Sequence, residues 1–192
     1  MRFVVTAAAA ALMLAACTPA GAPAKDEAPA GAPAGPADPS GFSHTEGADL
    51  FGYYIPTAPI KVGNWEMTNF HIADEAEFDK WESGQRMATY GPVMLEFDDV
   101  TSPKAVNELG GEHHTVSERI LPDAYSISGA DIVFVDRDSK LGKVTFRGKL
   151  DLTAIAAAKR ENAETQGPVM TGTLTVGDQT FENVGFTWFG GD

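Results

Sequence analysis

Few side chains in this sequence combine a reactive type with a spacing that chemistry could use. Glu112-His113-His114, just after Gly110-Gly111, sets two imidazoles beside a carboxylate, the ligand types of a zinc or related site. Adjacent histidines on a strand point to opposite faces, so the pair does not close on one ion, and His71 and His44 would have to come from elsewhere in the fold. Asp136 and Asp138 have the alternate spacing that opens a calcium loop. Lys140, however, puts a cation where an oxygen ligand belongs, and no bidentate Glu follows at the required place. Glu96 and Asp98 share one strand face, with Asp99 beside them; a glycosidase pair must face each other across a cleft, so these read as a solvated acidic stripe. Ser126 and Ser128 lie in strand-like sequence, without the G-x-S-x-G turn that exposes a nucleophile, and neither glycine motif that cradles phosphate occurs. The expectation is of no catalytic residue, no metal ligand and no cofactor in a protein that is not an enzyme.

The charge balance narrows the partners. Against 14 Lys and Arg stand 27 Asp and Glu, a formal net charge of -13. A nucleic-acid surface needs clustered cations to displace counterions from phosphate, and an anionic membrane leaflet attracts the same cations. Neither nucleic acid nor charge-driven docking to lipid headgroups is expected.

One cysteine is too few for a disulfide framework or a multi-thiolate site, and its position suggests another use. Arg2 precedes an uncharged apolar run, residues 3–16, whose 14 residues are too few to cross a bilayer core of about 30 Å as a helix. A basic flank, a short apolar run and small residues at its end form the pattern of a secretory signal removed in the mature protein. The end of the run, Leu14-Ala15-Ala16-Cys17, resembles the lipobox of bacterial lipoproteins at each of its four positions. That resemblance implies a signal peptide over residues 1–16 and a mature chain that starts at Cys17 with thioether-linked and amide-linked acyl chains. At about 0.8 kcal/mol per buried methylene, such chains would hold the protein durably at a membrane. Thr18, in place of Asp, after the cysteine implies export to the outer membrane, on whose periplasmic face the lipid-anchored protein is expected.

Residues 17–40 read as the lipidated cysteine and a disordered tether. Over 18–40 there are eight Ala, six Pro and three Gly, with no aromatic residue and no Val, Ile, Leu or Met. Nothing there offsets the entropy of ordering, and proline stiffens the segment toward polyproline II. The span 41–192 holds 17 of the 18 aromatic residues and is long enough to fold around one core without metal or disulfide.

The elements that would position any site in that span are mostly strands. Residues 144–152 alternate, with every even position apolar or glycine and every odd one polar, the pattern of a strand with one wet face. Met170–Val176 repeats it, Gly177-Asp178 supplies a two-residue hairpin loop, and Gln179–Phe189 returns. Counting outward from the turn pairs Val176 with Gln179 and Leu174 with Phe181. Val184, Phe186 and Trp188 then have the wrong parity, so one extra residue, a β-bulge, is expected near Glu182-Asn183. Residues 62–72, 93–100, 115–121, 124–128 and 131–136 read as further strands, with a break at Pro122. Helices are expected after Asp74 (Phe78 and Trp81 on one face, Gly84 closing), after Ser102-Pro103 up to Gly110-Gly111, and over 153–163.

The fold class is therefore mainly β: a single antiparallel β-barrel or sandwich domain of about eight or nine strands with two or three short helices, behind a signal peptide and a tether. Phe51, Tyr53, Tyr54, Trp65, Phe70, Phe78, Trp81 and Tyr90 crowd its first half, either as core or as the wall of a ligand cavity. Two roles fit. One is a membrane-anchored envelope lipoprotein with a non-enzymatic binding or structural role toward another envelope protein. The other is a carrier that encloses a small apolar or lipid ligand in its barrel.

Overall fold

A computed structural model describes residues 37–191, Leu109 excepted. The expected signal peptide, Cys17 and the tether up to residue 36 lie outside the described residues. In chain order the elements are β1 (Phe42–Ser43), β2 (Gly52–Pro56), β3 (Lys61–Val62), β4 (Trp65–Ile72), α1 (Glu75–Glu82), β5 (Val93–Asp99), β6 (Lys104–Val106), β7 (Glu112–His114), β8 (Ser117–Ile120), β9 (Ala124–Ser128), β10 (Asp131–Ser139), β11 (Gly142–Leu150), α2 (Leu152–Glu161), β12 (Met170–Val176) and β13 (Gln179–Phe189).

Eleven strands form one sheet in the order β1-β9-β10-β11-β12-β13-β2-β4-β5-β8, with β3 added on β4, while β6 and β7 pair separately. Every ladder is antiparallel except the short one between β1 and β9. The sheet curls into a half-barrel. β8, at one end of the strand order, runs through Leu121-Pro122-Asp123 directly into β9, the strand next to the other end. Helix α1 packs at the β1–β9 end: Trp81 meets Phe42 edge-on at 6.0 Å, and Phe78 meets Tyr125 at 5.6 Å.

Register follows the alternation. Val176 pairs with Gln179 and Leu174 with Phe181, then Gly172 pairs with Val184 and Met170 with Phe186. Thr173 on β12 thus lies opposite two residues of β13, Glu182 and Asn183, and Asn183 adopts φ 54°. The bulge returns Phe186 and Trp188 to the concave face, where they are 0% and 5% exposed. Asparagine tolerates left-handed backbone better than most residues, which suits it to that position. The concave face of β11 and β12 has a gap instead of side chains at the paired glycines Gly148 and Gly172. The ring of Phe146 fills it: a Cβ on Gly148 would lie 2.5 Å from its Cζ.

Both helices are capped by aspartate, the first as expected and the second at Asp151, which the alternation places at the end of a strand. Asp74 accepts from the Glu77 amide at 3.1 Å, and Asp151 from the Ala154 amide at 2.9 Å, in each case satisfying a first-turn donor. α1 buries Phe78 and Trp81, α2 buries Ile155 and Ala158, and Asn162 in the left-handed region ends α2. The helix expected after Ser102-Pro103 is not formed. That segment is the β6–β7 hairpin, closed by Asn107, whose side chain accepts from the Gly111 amide at 2.7 Å. Six residues between a proline and a glycine pair are too few for a stable helix, and an asparagine side chain favours a turn. The strand count also exceeds eight or nine, because β1, β2, β3, β6 and β7 are short segments whose apolar pattern is too brief to stand out.

Candidate functional site

Period two divides β2 between two environments. Tyr54 points to the concave core and is fully buried, its hydroxyl donating to the Leu50 carbonyl at 2.8 Å. The concave space around it belongs to phenylalanines: Phe70 lies 5.2 Å from Phe146, 6.1 Å from Phe134 and 6.3 Å from Phe186, and Phe146 lies 5.6 Å from Phe186, all edge-to-face. These contacts are the preferred geometry of aromatic quadrupoles, and they fill the interior with side chains.

The other parity of β2 faces outward. Phe51 and Ile55 are each 37% exposed, and between them Tyr53 pairs with His71 on β4 and with Phe189 on β13. His71 sits under this convex cluster. Tyr53 is 4.9 Å from its ring, Tyr90 5.7 Å and Phe51 6.1 Å, and the histidine is only 2% exposed. Its Nδ1 has no hydrogen-bond partner among the described residues. Burial pushes the imidazole below its ordinary pKa; Glu96 works the other way and Arg119 in the same direction, both less strongly. A neutral, desolvated histidine roofed by half-exposed aromatics has the composition of a contact surface more than that of a solvated loop.

No protein-family model, no curated protein and no solved structure matches the chain.

The other residues singled out in the sequence are dispersed. Glu112 and His113 are exposed on β7, where Glu112 pairs with Lys104 at 3.3 Å, and His114 points away from His113 toward the Ser102 carbonyl, 3.2 Å from its Nδ1. Among the described residues no group of three His, Cys, Asp or Glu side chains converges on a metal position. Asp136 closes its own turn by accepting from the Ser139 amide at 2.9 Å, with burial raising its pKa. Glu96 is held by Arg119 at 3.3 Å and by Asn69 at 3.4 Å, and Asp98, on the same strand, is raised first by burial and then by Glu96. Ser126 and Ser128 lie within β9, the former accepting from Ser43 at 3.3 Å. His44 is the exception: it enters a network with two glutamates and a tyrosine at the edge of a cavity.

The aromatic cluster of the first half is thus split. Tyr54, Phe70, Phe78 and Trp81 are core, whereas Phe51, Tyr53 and Tyr90 stand on the convex side. Sequence reasoning did not mark β2 as a strand. Its signal was the Tyr53-Tyr54 pair, since two adjacent large aromatics in an extended segment require cover on both faces.

Proposed function

We propose that this chain is an outer-membrane lipoprotein, held at the periplasmic face by acylated Cys17, whose folded part binds another envelope protein and catalyses no reaction. In this reading the half-barrel, with α1 at its gap, is one barrel-type domain, and the contact is made by the convex face at Phe51, Tyr53 and Ile55. The observation that carries it is the division of the aromatic residues. Rings occupy the concave space that a carried ligand would need, while half-exposed apolar side chains stand together outside. Clustered exposed apolar side chains mark contact surfaces, and a net charge of -13 favours a protein partner over an anionic lipid surface. The anchor is supported by Leu14-Ala15-Ala16-Cys17, and the spacing from the membrane by the composition of 18–40.

The test uses a photo-crosslinking residue in place of Ile55, of Phe51 or, as control, of exposed Thr180, in the protein's own envelope. The same discrete adduct is expected from positions 55 and 51 and none from 180, with Cys17→Ser protein released from membranes by salt. Equal adducts from all three positions, or Cys17→Ser protein that stays embedded, would overturn the reading.

A further inference from the structure

His71 is the polar residue under the convex cluster, and its ring has no place for a second hydrogen. Its Nδ1 is buried and has no hydrogen-bond partner among the described residues. Its cross-strand partners are Tyr53 on β2 and Met94 on β5, an aromatic and an apolar side chain. Rings enclose it from three segments: Tyr53 on β2, Phe51 just before β2, and Tyr90 in the loop before β5. A neutral imidazole shares one hydrogen between two nitrogens, so one nitrogen can stand bare, whereas the imidazolium donates from both. Protonating His71 where it stands would bury a charge and an N–H group without an acceptor, which costs more than a bare lone pair.

The charges around it do not supply that acceptor. Glu96 on β5 favours the charged ring, but its carboxylate is taken up by Arg119 on β8 at 3.3 Å and by Asn69 at 3.4 Å, and Arg119 itself opposes protonation. Asp74 and Glu77, at the start of α1, act on Tyr90, whose phenol is held neutral first by burial and then by them. The roof, in contrast, is loosely held. Phe51 is exposed, Tyr53 and Tyr90 are half-buried, and neither phenol is hydrogen-bonded among the described residues, unlike that of Tyr54 on the concave side.

We infer that His71 is a proton-operated gate under the convex face: when it takes up a proton, the rings of Phe51, Tyr53 and Tyr90 part and water reaches the imidazolium. The gate belongs to the chain alone, and its effect on a partner rests on the function proposed above. A closed roof, and a partner pressed onto it, both favour the neutral ring. The closed form is therefore fully favoured above the ordinary histidine pKa of 6.5. It loses that advantage as pH falls from there through the lower pKa of the closed form, and the contact weakens with it.

The full chain, labelled with 13C at histidine and held in micelles, is titrated from about pH 7.5 to about pH 4.5, across the histidine range. The His71 ring is followed by NMR, and the roof by hydroxyl-radical labelling. As the population moves to the open form, labelling of Tyr53 and Tyr90 should rise about twofold, with the midpoint of the His71 ring, while that of Val106 stays constant. Coincidence of the two midpoints tests the gate in the parent chain, without a variant. In His71→Phe, which keeps an uncharged ring at the position, labelling should not change with pH. In isolated envelopes, the adduct from the crosslinking residue at position 55 should fall over the same range, and its yield in His71→Phe should not depend on pH. Labelling that stays flat, that rises away from the His71 midpoint, or that rises equally in His71→Phe would overturn the gate. An acid-induced rise in labelling without an adduct at any pH would support the gate and overturn the proposed contact.

Discussion

The half-barrel has two kinds of wall. In β11, β12 and the first part of β13 one face is core and the other is wet: Val144, Phe146, Leu174 and Val176 are fully buried, while Thr171, Gln179 and Thr180 are exposed. Where the end of β4 pairs with the start of β5, both faces are covered. Val93, Met94 and Leu95 follow one another at 4% exposure or less, as do Phe70, His71 and Ile72. Strict alternation in sequence therefore marks a wall that water reaches, and loss of alternation marks a wall that something else covers. Over His71 the cover is the convex aromatic cluster, which makes that side the candidate for contact. A smaller instance lies on the outside of β9 and β10, where Ala124, Val133 and Val135 form a second buried cluster. There Gly41 accepts from the Tyr125 amide on β9 while Asp38 reaches Lys143 and Arg147 on β11, so residues 38–41 cross the outer face of β10.

The contrast between walls is broken most directly on β13. Phe186→Ala removes a fully buried ring that packs on Phe70 and Phe146, and about 3–5 kcal/mol should be lost in a urea titration. Thr187→Ala, on the outward parity beside Ile55, should lose less than about 1 kcal/mol. Comparable losses at the two sites would mean that β13 has no outward face.

The next largest effect is expected at Gly148. A Cβ there would fall 2.6 Å from the Thr171 carbonyl oxygen as well as against Phe146, so Gly148→Ala should destabilise by about 1–3 kcal/mol through overpacking. A neutral substitution, by thermal or urea unfolding, would show that Phe146 does not fill the glycine gap.

A pH-dependent difference should separate the covered wall from the wet one. Burial holds His71 below its ordinary pKa of 6.5, so the folded state prefers the neutral ring. As pH drops below that ordinary value the unfolded chain takes a proton that the folded chain does not. Stability present above it is therefore lost as pH falls through the folded pKa. His71→Phe should remove this component, so its urea midpoint should fall less than that of the parent between about pH 7 and about pH 5. Parallel declines would place His71 in water.

The smallest effect belongs to the strap. Asp38→Asn weakens exposed ion pairs to Lys143 and Arg147, which also hold the Asp38 carboxyl below the usual range, and should lose no more than about 1 kcal/mol. A larger loss would make the strap a structural part of the β9–β11 wall.

How much of this could be read from the sequence follows the same division. The β12–β13 register and its bulge were legible to the residue, because a tight glycine turn and a parity break each have one physical solution. The cap at Asp74 and the placing of Phe78 and Trp81 on one face of α1 followed from local chemistry in the same way, whereas Asp151, read as part of the preceding strand, caps α2. The pairing of β13 with β2, which joins strands more than 120 residues apart, left no local trace in a five-residue strand with aromatics on both faces. The convex cluster was hidden for that reason: Tyr53, His71 and Tyr90 lie far apart in the chain and meet only through the β2–β4 ladder and the loop before β5. The Ser102–Gly111 segment misled because proline and a glycine pair punctuate hairpins as well as helices. His44 stood among the four histidines without any mark of its partners, since Glu82 and Tyr125 are brought to it by α1 and β9.

The claim that the covered wall is the contact wall is tested most directly by hydroxyl-radical footprinting of the protein in its native envelope and after purification. Phe51, Tyr53 and Ile55 should be labelled in the purified protein and protected in the envelope, while Val106, 67% exposed on β6, is labelled in both. Equal labelling of Phe51, Tyr53 and Ile55 in the two states would contradict it.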